Sequence, residues 1–242
     1  HNYGQYIIDA LESCINQTRK PDKIIIIDDC STDNSKEIIL DYLGESFKSR
    51  IVNGLTIFES FQNESIIFVP LDKCYGPSLA RNIGIDLTIK NIDLYQILDA
   101  DDKMHPRKLE VLESKINESP EIGVVYADYD IYNVNTGTLI REWKEPYSKQ
   151  KLMQECIVHS GSMIRKTALE RVRDQYGYYD INMRTCEDYD LWLRISNHFT
   201  ISHVPESLTY VRVHNENATY SVKNEIWQQN WNRIRLKLEG RL

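Results

Sequence analysis

Two groups of acidic residues could do chemistry, because each follows a stretch that is predicted to be a strand. Asp28 and Asp29 form the first group, and Asp99, Asp101 and Asp102 form the second. Three carboxylates within four residues repel one another unless they are solvated or share a cation. Their oxygens suit a hard divalent ion such as Mg²⁺ or Mn²⁺. The alternative is an acidic turn that favours the dipole of the next helix.

The first acidic group has two compatible interpretations. A carboxylate of Asp28 or Asp29 at a strand end could accept hydrogen bonds from a nucleotide base or from ribose hydroxyls. Ser31 or Asp33 could instead cap the helix that follows. Both interpretations can hold in one loop.

The elements that must position these acids alternate along the chain. Apolar spacing predicts helices over 6–15, 36–43, 77–88, 107–117, 187–197 and from 225 onward. It predicts strands over 23–29, 65–69, 94–99, 122–127, 161–165, 200–204 and 208–213, with a hairpin over 129–140. We therefore expect an α/β fold with a mostly parallel, Rossmann-like sheet flanked by helices and a smaller mixed portion. Ligands of such sheets lie at the carboxyl ends of the strands, where both acidic groups fall.

Composition limits the classes of function. The 242 residues carry a formal charge of −7 and a pI near 5.4, which argues against a nucleic-acid partner. The longest strongly apolar run, Ile24 to Ile27, is far too short to cross a bilayer. Five cysteines without a CxxC pair are typical of free thiols in a reducing compartment. We expect one cytoplasmic domain over residues 1–242, either in solution or peripheral to a membrane.

The chain resembles the family 2 glycosyltransferases, which are inverting enzymes of the GT-A fold. The resemblance covers nearly the whole chain, and six short motifs in the family's order are specific although each alone is weak. These motifs are His1-Asn2-Tyr3-Gly4-Gln5-Tyr6, Ile27-Asp28-Asp29-Cys30-Ser31-Thr32-Asp33, Gly76-Pro77-Ser78-Leu79-Ala80-Arg81-Asn82-x-Gly84, Leu98-Asp99-Ala100-Asp101-Asp102, Cys186-Glu187-Asp188-Tyr189-Asp190-Leu191-Trp192-Leu193-Arg194 and Tyr210-x-Arg212-Val213-His214.

The resemblance implies a site for a nucleotide-sugar donor, most simply UDP-linked. His1 matches a ring near the uracil, and Asn2 supports the same loop. Asp29 matches the acid that reads the base, with Asp28 as its neighbour. Arg81 matches a basic residue close to the base and the diphosphate.

A divalent metal, Mn²⁺ or Mg²⁺, is also implied by the resemblance. Asp101 and Asp102 match the acidic pair that binds ribose and metal, and Asp99 begins the D-x-D form. Which of the three touches the ion stays open. His214 matches a histidine that completes the metal or diphosphate site in some members. A surface histidine in a polar loop is the alternative for this residue.

The catalytic hypothesis concerns Asp188, which matches the family's general base. A positioned carboxylate can take the proton of a weakly nucleophilic sugar hydroxyl in the transition state. Its neighbours Glu187 and Asp190 are expected to favour the helix dipole. Trp192 could form a wall for the acceptor sugar or belong to the core. The segment 159–162 could lie near the acceptor or the diphosphate, since its small residues permit close approach.

The implied reaction is transfer of one hexosyl or N-acetylhexosaminyl unit to a glycan, lipid-linked or protein acceptor. Processive relatives carry Q-x-x-R-W after the base, whereas Gln228-Gln229-Asn230-Trp231 lacks the Arg-Trp pair. The metal would stabilise the charge on the departing nucleoside diphosphate.

Two other functions compete with glycosyl transfer. A sugar-1-phosphate nucleotidyltransferase would need a Gly-rich loop with Arg and Lys, which the segment 1–6 does not resemble. A glycan-binding domain without catalysis would have no need of a base at Asp188. Because the sequence starts at His1 in a helical pattern, we expect a fragment of a longer chain whose first buried strand precedes it.

Overall fold

Helices and strands alternate through the first half of the chain as predicted, apart from strands within 47–60 and at 103–104 that were not predicted. The computed structural model describes residues 1–44, 47–60, 65–215, 217 and 221–241. The strands are β1 (Ile24–Asp28), β2 (Phe47–Val52), β3 (Leu55–Ser60), β4 (Ile66–Pro70), β5 (Leu94–Gln96), β6 (Lys103–Met104), β7 (Ile122–Asn133), β8 (Thr138–Glu142), β9 (Met163–Arg165) and β10 (Thr200–Val213). The helices are α1 (Gly4–Ile15), α2 (Ser35–Leu43), α3 (Pro77–Thr88), α4 (Lys108–Ile116), α5 (Lys149–Leu152), α6 (Lys166–Val172), α7 (Glu187–Ile195) and α8 (Asn224–Leu238).

The first sheet has the strand order β1-β4-β3-β2, in which β1 and β4 are parallel and the other pairs antiparallel. Both faces of β1 are covered, which explains its continuous β-branched run. On one face Ile26 packs with Leu11 of α1 and Ile39 of α2. On the other face Ile25 and Ile27 pack in a second cluster, beneath α3.

The second sheet has the order β5-β9-β7-β10-β6, with β8 paired to β7. Only β7 and β10 run parallel in the described part of this sheet. The α/β class is confirmed, but the two sheets are mixed where the alternation of elements indicated mostly parallel pairing. The hairpins β2–β3 and β7–β8 form antiparallel pairs by short turns. Other antiparallel pairs, such as β7–β9 and β10–β6, join strands that are far apart in the sequence.

The two strands predicted over 200–204 and 208–213 form one irregular strand, β10. Its register against β7 shifts between Val204 and Ser207 and again between Ser207 and Tyr210. Pro205 lies at the first shift and has no N–H to donate to a ladder, so the strand bulges instead of ending.

The largest core cluster joins α6, α7, β7 and β9. Trp192 of α7 is fully buried there. The hypothesis that Trp192 walls an acceptor site is therefore wrong, and its core alternative is correct. Helix α8 packs against this cluster through Ile234. No helix in the described residues is both long and apolar enough to span a bilayer.

Three loops that follow strands define the edge where the predicted site lies. Residues 29–34 follow β1, residues 71–76 follow β4, and residues 97–102 follow β5. The segment 1–3 packs beside the first of these loops, just before α1. Ala100 of the third loop packs against the cluster that contains Ile26 of β1, so acids far apart in the sequence lie in neighbouring loops.

Candidate functional site

Asp29 joins the loop after β1 to the loop before α3. Its two carboxylate oxygens accept the N–H groups of Tyr75 and Gly76, at 2.7 and 2.8 Å. The ring Nδ1 of His1 lies 2.8 Å from the carbonyl oxygen of Asp29. Asp29 and His1, both predicted to lie at the nucleotide base, are thus in contact on this exposed edge.

Asp28 and Asn2 shape the same loop from within. The buried carboxylate of Asp28 accepts the N–H of Ser31 at 3.2 Å and its hydroxyl as well. The side-chain oxygen of Asn2 accepts the N–H of Thr32 at 2.8 Å, and Asn2 itself has a φ of 59°. Both side chains are engaged in fixing the loop that presents Asp29.

Arg81 on α3 connects the second acidic group to α7. Its Nη2 donates to Asp99 at 2.8 Å, and its Nη1 donates to Glu187. The guanidinium also lies 5.3 Å from the ring centroid of Tyr179. Burial opposes the charged form of Arg81, but Asp99 and Glu187 outweigh it and raise the pKa of the guanidinium. Burial likewise disfavours ionised Asp99, yet the charge of Arg81 lowers the pKa of that carboxyl.

Asp101 meets His214, the histidine predicted from the far end of the chain. The ring Nε2 of His214 lies 3.1 Å from Asp101 Oδ2, and Asn217 donates to the same oxygen at 3.0 Å. The His214 ring packs between Tyr3 and Tyr6, with centroids 5.5 and 4.9 Å away. His214 is therefore a buried neighbour of the acidic loop and not a surface histidine. Burial and the negative charge of Asp99 raise the pKa of Asp101.

Asp102 is buried beneath the loop. Its Oδ1 accepts the backbone N–H of Arg212 at 2.9 Å. Burial, followed by the charges of Asp99 and Asp101, raises the pKa of Asp102 well above its ordinary value. The buried ammonium of Lys108 opposes this effect. Two of the three acids are thus held at a cost that a cation would reduce.

The predicted metal ligands come together only in part. The described residues contain no group of three or more His, Cys, Asp or Glu side chains that could hold a metal ion. Asp99 faces Arg81, whereas Asp101 and His214 are in contact. The Asp101 carboxylate and the His214 imidazole lie beside the other acids of this loop, and they fit as two ligands of a divalent ion. The remaining ligands would have to come from a bound diphosphate or water.

Asp188 lies in the first turn of α7, two residues after the N-cap Cys186, whose φ is 59°. The carboxylate Oδ1 accepts the N–H of Tyr189 at 2.7 Å. Burial, with the negative charge of Glu187 as the second cause, raises the pKa of Asp188 to about 7. A carboxyl with such a pKa is well suited to take up and release a proton near neutral pH.

Two residues near the site were not recognised from the sequence: Glu187 was given a minor role and Lys108 none. Glu187 was expected only to favour the helix dipole, yet it pairs with Arg81. Lys108 was not singled out, although its buried ammonium donates to Thr209 at 2.7 Å beneath the acidic loop. A lysine in the first turn of a predicted helix is expected at the surface, so no sequence signal distinguished it.

The segment 159–162 lies next to the acidic loop, as expected for a residue group near the diphosphate or acceptor. Ser160 donates to Asp99 at 3.3 Å. Burial and the charge of Lys108 lower the pKa of His159 to about 3, so its ring is neutral. A side chain at Gly161 would come within 3.3 Å of the Lys108 ammonium. The close packing that the small residues predicted is present here.

Comparisons with known proteins agree with this geometry. The family described as Glycosyl transferase family 2 matches residues 1–173. An uncharacterized glycosyltransferase of Methanocaldococcus jannaschii is 25% identical over 219 residues, covering 87% of this chain and 67% of that protein. One from Rickettsia typhi is 24% identical over 236 residues, covering 93% of this chain and 65% of that protein. The chain thus spans about two thirds of the length of these relatives.

A solved structure shows the same fold. The crystal structure of S. aureus TarS 1–349 matches with a TM-score of 0.62 and 20% identity, covering 88% of this chain and 58% of that chain. At this identity the likeness concerns the fold, which is of the GT-A type expected from the sequence. The family match covers well over half of the chain. The chain therefore belongs to the family 2 glycosyltransferases.

Proposed function

We propose that this chain is the catalytic portion of an inverting glycosyltransferase that moves one sugar from a UDP-linked donor to an acceptor hydroxyl. Asp188 is the general base, and the acceptor is a hydroxyl of a glycan, a lipid-linked sugar or a protein. The bond between the anomeric carbon and the diphosphate oxygen breaks as the acceptor oxygen attacks from the opposite face. Asp188 takes the acceptor's proton.

One observation carries the proposal: Arg81 binds Asp99 and Glu187 at the same time. This contact links the loop predicted to bind the donor to the turn of α7 that bears Asp188. A base and a donor site must lie next to each other for a single displacement, because the acceptor oxygen must reach both. Arg81 supports that arrangement and offers a positive charge beside a diphosphate.

The raised pKa of Asp188 supports its role as a base. A catalytic base is most effective when its pKa is near the working pH, because it is then ionised yet still basic. Burial and Glu187 place the pKa of Asp188 at about 7. Asp190, two residues later, is instead bound by Arg194 and Lys237 and has no such role.

On the donor side, we assign the base and ribose to the edge formed by His1, Asn2 and Asp29, with Asp28 holding the loop. The partly exposed carboxylate of Asp29 retains lone pairs beyond those used by Tyr75 and Gly76. It can accept an N–H from a base such as uracil.

For the metal, we assign Asp101 and His214 as protein ligands of Mn²⁺ or Mg²⁺, with Asp102 behind them. When bound, the ion would stabilise the negative charge of the leaving diphosphate. Independently of the ion, Asp102 fixes the strand β10 next to the loop through the N–H of Arg212.

The test is Asp188→Asn, which keeps the size of the side chain but removes the base. UDP release from a panel of UDP-hexoses and UDP-N-acetylhexosamines, with simple sugars as acceptors, should fall by about 10³-fold. The Kd for UDP, measured by thermal shift with Mn²⁺, should stay within about twofold because Asp188 is not a donor ligand. Treatment with EDTA should weaken UDP binding in both proteins.

Asp41→Asn is the matched control, since Asp41 is exposed on α2 far from the site. It should change neither turnover nor UDP binding. Full turnover by Asp188→Asn would remove the base assignment. UDP binding without turnover by the wild-type protein would favour an inactive glycan-binding domain. UDP binding that ignores EDTA would remove the metal.

A further inference from the structure

Cys30 and Cys74 lie on the two loops that leave the paired strands β1 and β4. These strands run parallel, with Asp28 opposite Pro70 at their carboxyl ends. The N–H of Leu71 donates to the carbonyl of Asp28 at 2.9 Å, so the pairing continues to the start of the loops. Cys30 follows two residues after Asp28, and Cys74 follows four residues after Pro70.

The two cysteines are in direct contact. The Cys74 thiol donates to the carbonyl oxygen of Cys30 at 3.5 Å. Both are free thiols; Cys74 is exposed and Cys30 is partly exposed. The sulfur of Cys74 also lies 3.9 Å from Nδ1 of His1. A reagent in solution can therefore reach the Cys74 thiol, and Cys30 lies next to it.

The backbone around the pair is already fixed in place. Asp29, next to Cys30, binds the N–H groups of Tyr75 and Gly76, next to Cys74. The geometry of a disulfide requires close Cα atoms and converging side chains. Because Asp29 already holds the two loops together at residues next to each cysteine, we expect a bond between the two sulfurs to need little backbone movement.

We propose that Cys30 and Cys74 are a thiol-modification site that forms an intramolecular disulfide across the nucleotide edge. The oxidant is a low-molecular-weight disulfide, such as oxidised glutathione. Cys74 attacks one sulfur of the oxidant and releases one thiol, giving a mixed disulfide. Cys30 then attacks the Cys74 sulfur and releases the second thiol. The two protein sulfurs lose two electrons, and their protons end on the two released thiols.

The surroundings of Cys74 set the pace of this exchange. The hydrogen bond with Cys30, followed by burial and the charges of Asp29 and Asp28, raises the pKa of Cys74 to about 11. Only the thiolate attacks a disulfide, so the reaction is slow at pH 7. His1, the other titratable group in contact with Cys74, hydrogen-bonds the carbonyl of Asp29. Below pH 9 the rate should rise about tenfold per pH unit.

The bond would lock the loops in the arrangement that Asp29 already holds. A cross-link between positions 30 and 74 restricts the unfolded chain, which raises Tm. It also pre-organises the edge that we assign to the nucleotide base. Oxidation should therefore leave UDP affinity unchanged or higher. This last expectation alone rests on the proposed function; formation of the bond does not.

The experiment treats the protein with oxidised glutathione at pH 8, followed by peptide mapping and thermal unfolding. The expected result is one cross-linked peptide pair joining Cys30 to Cys74, a mass loss of two hydrogens, and a higher Tm that dithiothreitol reverses. Cys74→Ser should show neither the link nor the rise in Tm. Cys156→Ser is the matched control, because Cys156 is also an exposed thiol, and it should behave as the wild type.

Three results would overturn the proposal. They are glutathione adducts that persist on Cys74 without a cross-link, a link between other cysteines, and a Tm that does not rise when the Cys30–Cys74 link is present. Peptide mapping of the wild-type protein decides the first two without any variant. A lower UDP affinity with the link intact would contradict the locked edge but not the disulfide.

Discussion

Two groups of buried carboxylates in this protein are held in opposite ways. Asp180 and Asp190 lie beneath α8, and each contacts two cationic side chains. Asp180 is 2.6 Å from both Arg233 and Lys237. Asp190 is 2.9 Å from Arg194 and 2.8 Å from Lys237. These interactions outweigh the cost of burial for Asp180 and lower its pKa.

The acidic loop 99–102 contrasts with that arrangement. Asp99 has Arg81, but Asp101 and Asp102 have no Lys or Arg within ion-pair distance among the described residues. Burial and mutual repulsion raise the pKa of both carboxyls. Asp188 is in a similar state, because Arg81 is bound to Glu187 beside it.

The difference separates carboxylates whose charge is matched by nearby cations from carboxylates whose charge is not. Charges matched by nearby cations cost little and anchor α8 to the core. Charges left unmatched destabilise the free protein and become favourable only when a cation or proton arrives. We therefore expect the matched acids to serve stability and the unmatched acids to serve the proposed reaction.

The largest expected effect concerns the matched group. Asp180→Asn should lower the free energy of unfolding by about 3 kcal/mol, because Arg233 loses its buried partner and Lys237 keeps only Asp190. Thermal unfolding at pH 7 measures the change. Glu239→Gln at the C-cap of α8 is the control, since its pairs with Arg235 and Arg241 are exposed, and it should alter Tm little. If Asp180→Asn and Glu239→Gln lowered Tm equally, the buried ion pairs of Asp180 would have no special part in stability.

The second effect concerns the pH dependence of turnover. In the proposed mechanism Asp188 acts only when ionised, and its pKa is raised to about 7. Turnover should therefore fall about tenfold per pH unit below pH 7 and level off above it. Initial rates of UDP release at saturating donor, from pH 5 to pH 9, give the profile. A flat pH profile, or the same fall in turnover below pH 7 in Asp188→Asn, would contradict the assignment of Asp188 as the base.

The smallest effect has the opposite sign from the first. The pKa of Asp102 is raised, so the folded state holds its proton more tightly than the unfolded state does. That stability is present at low pH and is lost as pH rises through the folded pKa. Asp102→Asn, which still accepts the Arg212 N–H, should raise Tm by about 3 °C at pH 8 and by less at pH 4. A lower Tm of the Asp102→Asn variant at pH 8 would mean that nearby positive charge does stabilise the ionised Asp102 carboxylate.

Much of the fold was predictable from local patterns. Helix α3 has the predicted bounds, because Gly76 and Pro77 determine its start. The hairpin of β2 and β3 was missed, since residues 48–51 of β2 are all exposed and show no alternation of apolar and polar residues. The parallel pairing was overestimated because strand order depends on contacts between distant segments. Trp192 could not be assigned, since core and ligand walls use the same residue type.

The candidate site was predictable in its members but not in their partners. The acids at the strand ends were identified from residue type and position, and Arg81, Asp188 and His214 from the resemblance to the family. Their roles stay predictions. The contacts of Glu187 and Lys108 were not foreseeable, because each reaches a residue about 100 positions away.

The sequence by itself determined where carboxylates stand relative to strand ends and helix starts, and with that the family. Only the tertiary structure decided which carboxylates are matched by cations. The physical reason is that the pKa of a buried acid depends on burial and on charges within a few ångströms, and these come from distant parts of the chain. Asp188 and Asp190 are two residues apart, yet only Asp190 meets Lys237.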